Sequence, residues 1–297
     1  MPIEYFCAGA DPAIQQEAVD MLCRCFDEWV EFKNIYGRCF PFYEHSFIAR
    51  ENGTGRLAGH VGVMPFDVSD GQGGIWRMAG IASVGVDPDF RGLGIAQQLC
   101  ENAAQWAQSQ HFHAMPLYTC VNPVYRKCHW QNLKASSQVM HGNADCSGLN
   151  GYQWKKSSEL TDMEKDAIVG FYQALPPLAG RVMRTLGDNK YHSWEWIFRN
   201  PAASFIVKPS GYAAAVEGVI AEAAGDIIYE LSRLGLTQAL LAADDPAAQA
   251  LLKANWHFAE QTVTAAPACW HGESVMLRNW AIDLPESGIF FALLDKF

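Results

Sequence analysis

The sequence has no long uncharged hydrophobic run and no basic segment at its beginning. No stretch approaches the ~18 consecutive apolar residues that a membrane-spanning helix needs. Residues 1–6 lack the basic region and apolar run of a secretory signal. These absences argue against membrane insertion and secretion, and we expect a cytoplasmic protein with no membrane partner.

Positive charge is also scarce. The chain of 297 residues has 22 Lys and Arg against 32 Asp and Glu, which gives a formal net charge of −10 at pH 7. Nucleic-acid binding depends on clustered Lys and Arg, so this balance argues against a nucleic-acid partner. An acidic surface weakly favours a cationic acceptor such as an amine, because it raises the local concentration of cations.

The nine cysteines form no Cys-x-x-Cys pair, and their number is odd. This pattern suits reduced thiols in a cytosol rather than a disulfide framework or a structural zinc site. Cys120 and Cys128 lie near a motif described below, where they either pack as small hydrophobic side chains or take a covalent part. His111 and His113 have no third ligand nearby in the sequence, so we expect no metal.

What is present is an ordinary globular composition, with 49% hydrophobic and 18% charged residues. The length of 297 residues exceeds the usual size of one domain, so two domains are expected. Residues 141–151 are polar and rich in glycine, which is typical of a linker. We therefore predict one domain over residues 1–145 and a second over residues 151–297.

A strand, a glycine-containing turn and a helix follow one another in the first half. Residues 81–86 are apolar and rich in β-branched side chains, and Pro88 ends this strand. Gly92 and Gly94 come just before a helical repeat of apolar residues that begins at Ile95. The free N–H groups of a first helical turn bind anions, and glycine lets a diphosphate approach closely. The segment therefore predicts a phosphate site.

The turn resembles motif A of the GCN5-related N-acetyltransferases (GNAT), Gln/Arg-x-x-Gly-x-Gly/Ala after a strand ending in Val-x-Pro. Arg91, Gly94 and Ala96 match this motif. A dinucleotide-binding motif fits less well, because its third glycine would fall at Gln97. The resemblance implies that the turn binds the diphosphate of acetyl-coenzyme A rather than that of a nicotinamide cofactor.

A second motif lies at the distance that this family predicts. Residues 116–121 are predicted to form a strand, and the residues after it resemble motif B, Tyr-x-x-x-Gly-Phe. Tyr125 and Trp130 match this pattern, while His129 replaces the glycine. The resemblance implies that Tyr125 protonates the leaving thiolate. A phenol with a pKa near ~10 is a suitable donor to a thiolate with a pKa near ~8.5.

The resemblance also implies where the coenzyme lies. In the family, the thioester occupies a V-shaped gap where two parallel strands part, and here the gap falls between residues 81–87 and 116–121. The residues expected to bind acetyl-coenzyme A are Val84, Gly85, Val86, Arg91, Gly92, Leu93, Gly94, Ile95, Ala96 and Asn122.

The general base stays open at this point. An amine must lose its proton to attack, and many relatives use a glutamate on the motif A strand, but residues 76–86 contain no carboxylate. We name His60 as the candidate base, because a histidine titrates near neutral pH. A histidine satisfied within its strand is the alternative, and Asp67, a water held by Ser83 and the terminal carboxylate of Phe297 are further candidates.

The second half looks like a diverged copy of the first. Residues 237–258 repeat the order of residues 116–130, with a strand, a polar turn with proline, a helix and an aromatic ending. No Arg-x-x-Gly-x-Gly/Ala follows residues 212–221, and Leu251 stands in the place of the motif B tyrosine. We expect this copy to bind no coenzyme. It either shapes the acceptor pocket or covers an exposed sheet edge.

Periodicity and capping signals predict the other elements. Thr161 and Glu164 form a capping box at a helix start. Further helices are predicted over 11–36, 191–199 and 226–234, and strands over 46–50, 56–68, 76–86, 205–208, 212–221, 261–266 and 273–280, the last two finishing the second sheet.

The resemblance implies an α/β (α+β) fold of two tandem GNAT-like domains, each a mixed, mostly antiparallel sheet flanked by helices. It implies an N-acetyltransferase that moves an acetyl group from acetyl-coenzyme A to a primary amine of a small molecule or peptide. The alternative is a coenzyme-binding sensor without catalysis. A transferase that uses aminoacyl-tRNA is disfavoured by the acidic charge, and the sequence leaves the oligomeric state open.

Overall fold

The protein is described here by a computed structural model, which covers residues 2–27, 29–30, 33, 43–133, 137–186, 192–259 and 274–284. The helices are α1 (Pro12–Cys25), α2 (Ile95–Ser109), α3 (Asn122–Arg126), α4 (Asp162–Gln173), α5 (Trp194–Ile197) and α6 (Pro246–Lys253). The strands are β1 (Ile3–Cys7), β2 (His45–Glu51), β3 (Leu57–Ser69), β4 (Ile75–Val86), β5 (Ala114–Thr119), β6 (Gln131–Asn132), β7 (Ser137–His141), β8 (Lys155–Lys156), β9 (Ala203–Lys208), β10 (Gly211–Val216), β11 (Val219–Gly225), β12 (Gln238–Ala242), β13 (His257–Phe258) and β14 (Ser274–Asn279). None of the helices in these ranges is both long and apolar enough to cross a membrane.

Within the described ranges, the first sheet has seven strands in the order β1-β2-β3-β4-β5-β14-β6. Its pairs are antiparallel except β4 with β5, which run parallel. Helix α2 packs on one face through Ile95 and Leu99, and α1 packs on the other through Met21 and Leu22. Both helices approach the sheet closely, since an added Cβ would lie 2.5 Å from the Leu22 side chain at Gly85 and 2.7 Å from the Ile95 side chain at Gly59.

The second sheet repeats this arrangement, in the order β8-β9-β10-β11-β12-β7-β13. Its one parallel pair is β11 with β12, which corresponds to β4 with β5. The predicted fold of two mixed, mostly antiparallel sheets with flanking helices is confirmed. The repeat extends to the turn after the helix, because Trp256 N–H donates to the Leu251 carbonyl as Trp130 N–H does to the Tyr125 carbonyl.

The two sheets exchange one strand. Residues 273–280 were expected to help finish the second sheet, and this expectation is wrong, because β14 lies in the first sheet between β5 and β6. The physical reason is that β5 has a free edge there, and Val275, Met276 and Leu277 are buried against the first-half core. Strand β7 takes the equivalent place in the second sheet. The division into residues 1–145 and 151–297 remains a prediction.

Two element predictions are corrected. The first helix ends at Cys25 and not near residue 36, because Phe26 is extended and its N–H closes the last turn on Leu22. The single strand predicted over 212–221 is a hairpin, β10 and β11, which turns at Glu217 and Gly218 with φ of 50° and 80°. Residues 34–36, Tyr191, the strand predicted over 261–266 and Phe297 lie outside the described residues.

Candidate active site

Strands β4 and β5 separate to form a gap in the first sheet. In the described residues they pair only where Met78 meets Ala114, although β5 continues to Thr119. The register of β3 with β4 shifts between His60 and Gly62, which leaves an extra residue near Ser83 in β4, where φ is +51°. A bulge of this kind bends the strand that carries it. The gap lies where the motifs predict it.

The glycine turn at the end of β4 is open. Gly92 and Gly94 have φ of +84° and +75°, and a Cβ added to either would meet no atom of the described residues within 4 Å. Gly94 is the N-cap of α2 and provides no side-chain cap for the free N–H groups of the first turn. Glycine is therefore required here by backbone conformation, and space is left for a ligand.

Asp87 holds the strand end next to this turn, a role that sequence reasoning missed. Its buried carboxylate accepts hydrogen bonds from Arg24 at 2.7 Å, Arg56 at 2.8 Å and Asp89 N–H at 3.1 Å. Burial alone would raise the pKa of Asp87, but these bonds lower it below its ordinary value. An aspartate before proline is a capping signal, whereas its arginine partners are distant in sequence.

The three β4 residues predicted to bind the coenzyme differ in whether their backbone groups already pair with other residues. The Val86 carbonyl accepts from Arg91 Nε at 3.3 Å and from Cys25 Sγ at 3.3 Å. Gly85 pairs with His60 of β3, while Val84 lies in the bulge and has no partner in the β3 register. Of these three residues, Val84 is therefore the one that does not pair with β3.

Tyr125 lies on α3 and is half-buried. Its ring meets that of Trp130 edge-on, with centroids 6.4 Å apart. Burial raises the pKa of Tyr125 well above its ordinary value, and the nearby thiols raise it further, while Thr119 opposes them. The hydroxyl is therefore protonated at neutral pH and is able to donate a proton.

The turn after Tyr125 explains the unusual residue in motif B. His129, which replaces the glycine, has a φ of +68°, in the left-handed region that favours glycine. This turn lets the N–H groups of Cys128 and Trp130 both donate to the Tyr125 carbonyl, at 2.9 and 3.2 Å. The histidine keeps the backbone path of the motif.

Asn122 begins α3 and has an unused acceptor. Its Nδ2 donates to Ser274 Oγ at 3.1 Å and more weakly to Asn132 Oδ1 at 3.4 Å. Its Oδ1 is buried and has no hydrogen-bond partner among the residues that the structure describes. Because buried polar atoms are almost always paired, this oxygen is suited to a donor from a ligand.

His60 is completely buried in β3. Its Nδ1 lies 3.0 Å from the Ser83 carbonyl and its Nε2 lies 3.2 Å from Ser46 Oγ. Burial lowers the pKa of His60 to about 4, against a smaller opposite effect of the Ser83 carbonyl. The ring is neutral at pH 7, and Nδ1 must donate to that carbonyl, so Nε2 accepts from Ser46.

The other base candidates have different positions. Asp67 lies opposite Arg77 in the backbone register of β3 with β4, near the end of β3 and away from the bulge. Ser83 lies in the bulge, and its hydroxyl shares a short hydrogen bond with the Tyr43 hydroxyl. In the described ranges, no cluster of three His, Cys, Asp or Glu side chains is placed to hold a metal ion.

Comparison with known proteins gives a family match over the first half. Residues 16–130 match the acetyltransferase (GNAT) family model. A search of curated proteins finds no match.

Solved structures match over nearly the whole chain at low identity. Eis1 from Mycobacterium abscessus has a TM-score of 0.61 and 12% identity, with 94% of this chain and 74% of that chain covered. A GCN5-related N-acetyltransferase from Anabaena variabilis has a TM-score of 0.59 and 17% identity, with 93% and 73% covered. One from Kribbella flavida has a TM-score of 0.56 and 13% identity, with 93% and 71% covered.

These structural likenesses establish the fold, and the family match spans the gap, the glycine turn and Tyr125. Residues 16–130 therefore match the acetyltransferase (GNAT) family model, and the chain shares the fold of these solved acetyltransferase structures.

Proposed function

We propose that the protein transfers an acetyl group from acetyl-coenzyme A to a primary amine of a small molecule or peptide. The observation that carries the proposal is the gap between β4 and β5, which ends at an open glycine turn with free helical N–H groups. The family match of residues 16–130 supports acyl transfer in general. The acetyl donor and the amine acceptor are the finer part of the proposal.

The residues around the gap fit acyl-coenzyme A. The first turn of α2, which follows Gly94, would bind the diphosphate together with Arg91, because both offer N–H donors to an anion. The backbone of Val84 and the unpaired Oδ1 of Asn122 would bind the amide groups of the pantetheine arm. The open space at Gly92 leaves room for the diphosphate to approach the backbone.

Tyr125 would supply the proton that the reaction needs. The amine nitrogen attacks the thioester carbon, the carbon–sulfur bond breaks, and the Tyr125 hydroxyl gives its proton to the leaving sulfur. The proton released by the amine restores the phenol through water. A raised pKa keeps this hydroxyl protonated until the thiolate develops.

His60 as the general base remains a prediction. Its burial, its engaged nitrogens and its low pKa favour a different part in the same reaction. We propose that neutral His60 positions Ser83 by donating to its carbonyl, and thereby maintains the bulge that opens the gap. A water on the Ser83 hydroxyl would then accept the amine proton.

We propose that the second half has no acyl site of its own. Leu251 occupies the place of Tyr125 and has no proton to give.

Arg184 and Glu222 form a buried bidentate ion pair in the second half, at 3.0 and 2.8 Å, and Tyr212 donates to the same carboxylate. In this proposal, residues 151–297 shape the acceptor side, and residues 1–145 carry the chemistry in a reducing, cytoplasmic compartment.

The test uses the purified full chain with acetyl-coenzyme A and a panel of amines, and follows the release of free thiol. We expect turnover, and Tyr125→Phe to lower kcat by ~100-fold or more with little change in coenzyme affinity. Tyr229→Phe is the matched control, because Tyr229 is 69% exposed and lies in the second half.

Equal turnover of wild type and Tyr125→Phe with a good amine would remove Tyr125 from the mechanism. A coenzyme-binding sensor is the second candidate, and it is favoured by the absence of a carboxylate from residues 76–86. That candidate predicts tight binding of acetyl-coenzyme A without thiol release for every amine.

A further inference from the structure

One arginine of the exchanged strand contacts both α2 and the turn that follows α3. Arg278 of β14 donates through Nη1 and Nη2 to the two carboxylate oxygens of Glu101, at 2.6 and 3.1 Å. Its Nη1 also donates to the Cys128 carbonyl at 3.0 Å. Glu101 belongs to α2, which begins at the glycine turn, and Cys128 belongs to the turn after α3.

The environment of Arg278 makes these bonds strong. Its side chain is 12% exposed, and that of Glu101 is 29% exposed. The guanidinium carbon also lies 5.4 Å from the ring centroid of Trp130, within the range of a cation–π contact. The hydrogen bond from Arg278 is the main cause that lowers the pKa of Glu101 below its ordinary value. A bidentate, partly buried pair of this kind fixes geometry as well as charge.

The contacts of Arg278 converge on Tyr125. The Cys128 N–H donates to the Tyr125 carbonyl, and the Trp130 ring packs against the Tyr125 ring. Arg278 donates to the Cys128 carbonyl and lies over the Trp130 ring. Since Glu101 is on the helix that follows the glycine turn, the same guanidinium connects the Tyr125 turn to α2.

We propose that Arg278 is a positioning residue, which holds the Tyr125 turn in register with α2. The catalytic meaning of this role rests on the proposed function, while the geometric role does not. With this role, strand β14 does more than pair within the first sheet. Its Arg278, 150 positions after Cys128, contributes to the candidate site of the first half. Lysine would not replace it fully, since an ammonium lacks the planar fork that reaches both partners.

The test follows the 13C chemical shift of the Tyr125 Cζ by NMR at pH 7 in the full chain, with Tyr125→Phe to assign the signal. The variants are Arg278→Gln, Arg278→Lys and Glu101→Gln. The control is Arg50→Gln, because Arg50 makes a similar two-nitrogen pair with Glu17, between β2 and α1. The Tyr125 ring meets the Trp130 ring edge-on and Arg278 contacts that ring, so loosening the turn should change the Tyr125 chemical shift.

We expect Arg278→Gln to move the Tyr125 chemical shift towards its value in the unfolded chain, with Arg278→Lys between it and wild type. Arg50→Gln should leave that chemical shift unchanged. If Arg278→Gln does not fold, the same change in Glu101→Gln carries the test. An unchanged Tyr125 chemical shift in the folded variants, with only a lower melting temperature, would overturn the proposal.

Kinetics give an independent check on the same variants. In wild type, Arg278→Gln should lower kcat about tenfold or more with little effect on KM for acetyl-coenzyme A. In the Tyr125→Phe background it should cause no further loss, because it acts through Tyr125. Full additivity would contradict the proposal. If wild type itself transfers no acetyl group, the proposed function fails, and the Tyr125 chemical shift still decides the role of Arg278.

Discussion

Gly92 and Gly94 show at the scale of single residues why the phosphate turn needs glycine. Their φ values of +84° and +75° lie in the left-handed region, and each has empty space where a side chain would begin. Conformation rather than crowding therefore imposes the glycines. A side chain there would both strain the backbone and narrow the space that we assign to the diphosphate.

Gly94→Ala tests this account. We expect the free energy of unfolding to fall by about 1 kcal/mol and the affinity for acetyl-coenzyme A to fall ~10-fold or more, measured by urea unfolding and calorimetry. Gly170→Ala is the matched control, because Gly170 also has empty space around it but lies in α4 without a positive φ. Equal affinities of Gly94→Ala and wild type would contradict the assignment.

His60 gives a prediction on pH dependence. Its pKa is lowered from 6.5 to about 4 in the folded protein, chiefly by burial. Between these values the unfolded chain binds more protons, so stability falls as pH decreases from ~6.5 towards 4, by about 3 kcal/mol in total. Above pH ~6.5 the contribution of His60 is complete.

Urea unfolding between pH 7 and pH 4.5 measures this effect. His60→Gln should flatten the dependence on pH, because it removes the buried group that titrates. A wild-type stability that changes no more steeply than that of His60→Gln would show that His60 does not titrate as described.

The sequence motifs predicted the positions of Gly94 and Tyr125, because short-range patterns carry the turn and helix geometry of both. They did not predict the anchoring of Asp87, whose partners Arg24 and Arg56 reach it from 63 and 31 residues away. The sequence also did not predict that His60 is buried. The alternation of polar and apolar residues in a strand does not indicate whether a given histidine lies in the core.

At the scale of elements, the exchanged strand β14 is the main structural finding. Its extent was predicted to within two residues, but its sheet was not. The side-chain pattern of a strand indicates where the strand begins and ends. Its backbone N–H and C=O groups, however, pair equally well with the free edge of either sheet. The edge of β5 and the buried position of Met276 decide the outcome.

Met276→Ala measures how much the first sheet depends on β14. Met276 is fully buried between β5 and β6, so we expect a loss of about 2–5 kcal/mol in the free energy of unfolding. Met163→Ala is the control, because Met163 is 79% exposed, and we expect a change of at most ~0.5 kcal/mol. A similar small change at Met276 would mean that β14 is not part of the stable first sheet.

At the scale of the whole molecule, the two halves are bound together by more than the exchanged strands. Residues 180–183 pair with the end of β3, with Met183 N–H donating to the Asp67 carbonyl at 2.8 Å. The same segment carries Arg181, whose side chain pairs with the buried Asp245 at 3.1 Å. The tandem repeat was predicted from the echo of residues 116–130, and these long-range contacts were not.

The central claim is that the first half binds acyl-coenzyme A at the glycine turn and that the second half does not. Calorimetric titration of the purified full chain with acetyl-coenzyme A tests it most directly. The account predicts saturable binding of one equivalent per chain, weakened in Gly94→Ala and unchanged in Gly170→Ala. No binding, binding of two equivalents, or binding indifferent to Gly94→Ala would contradict it.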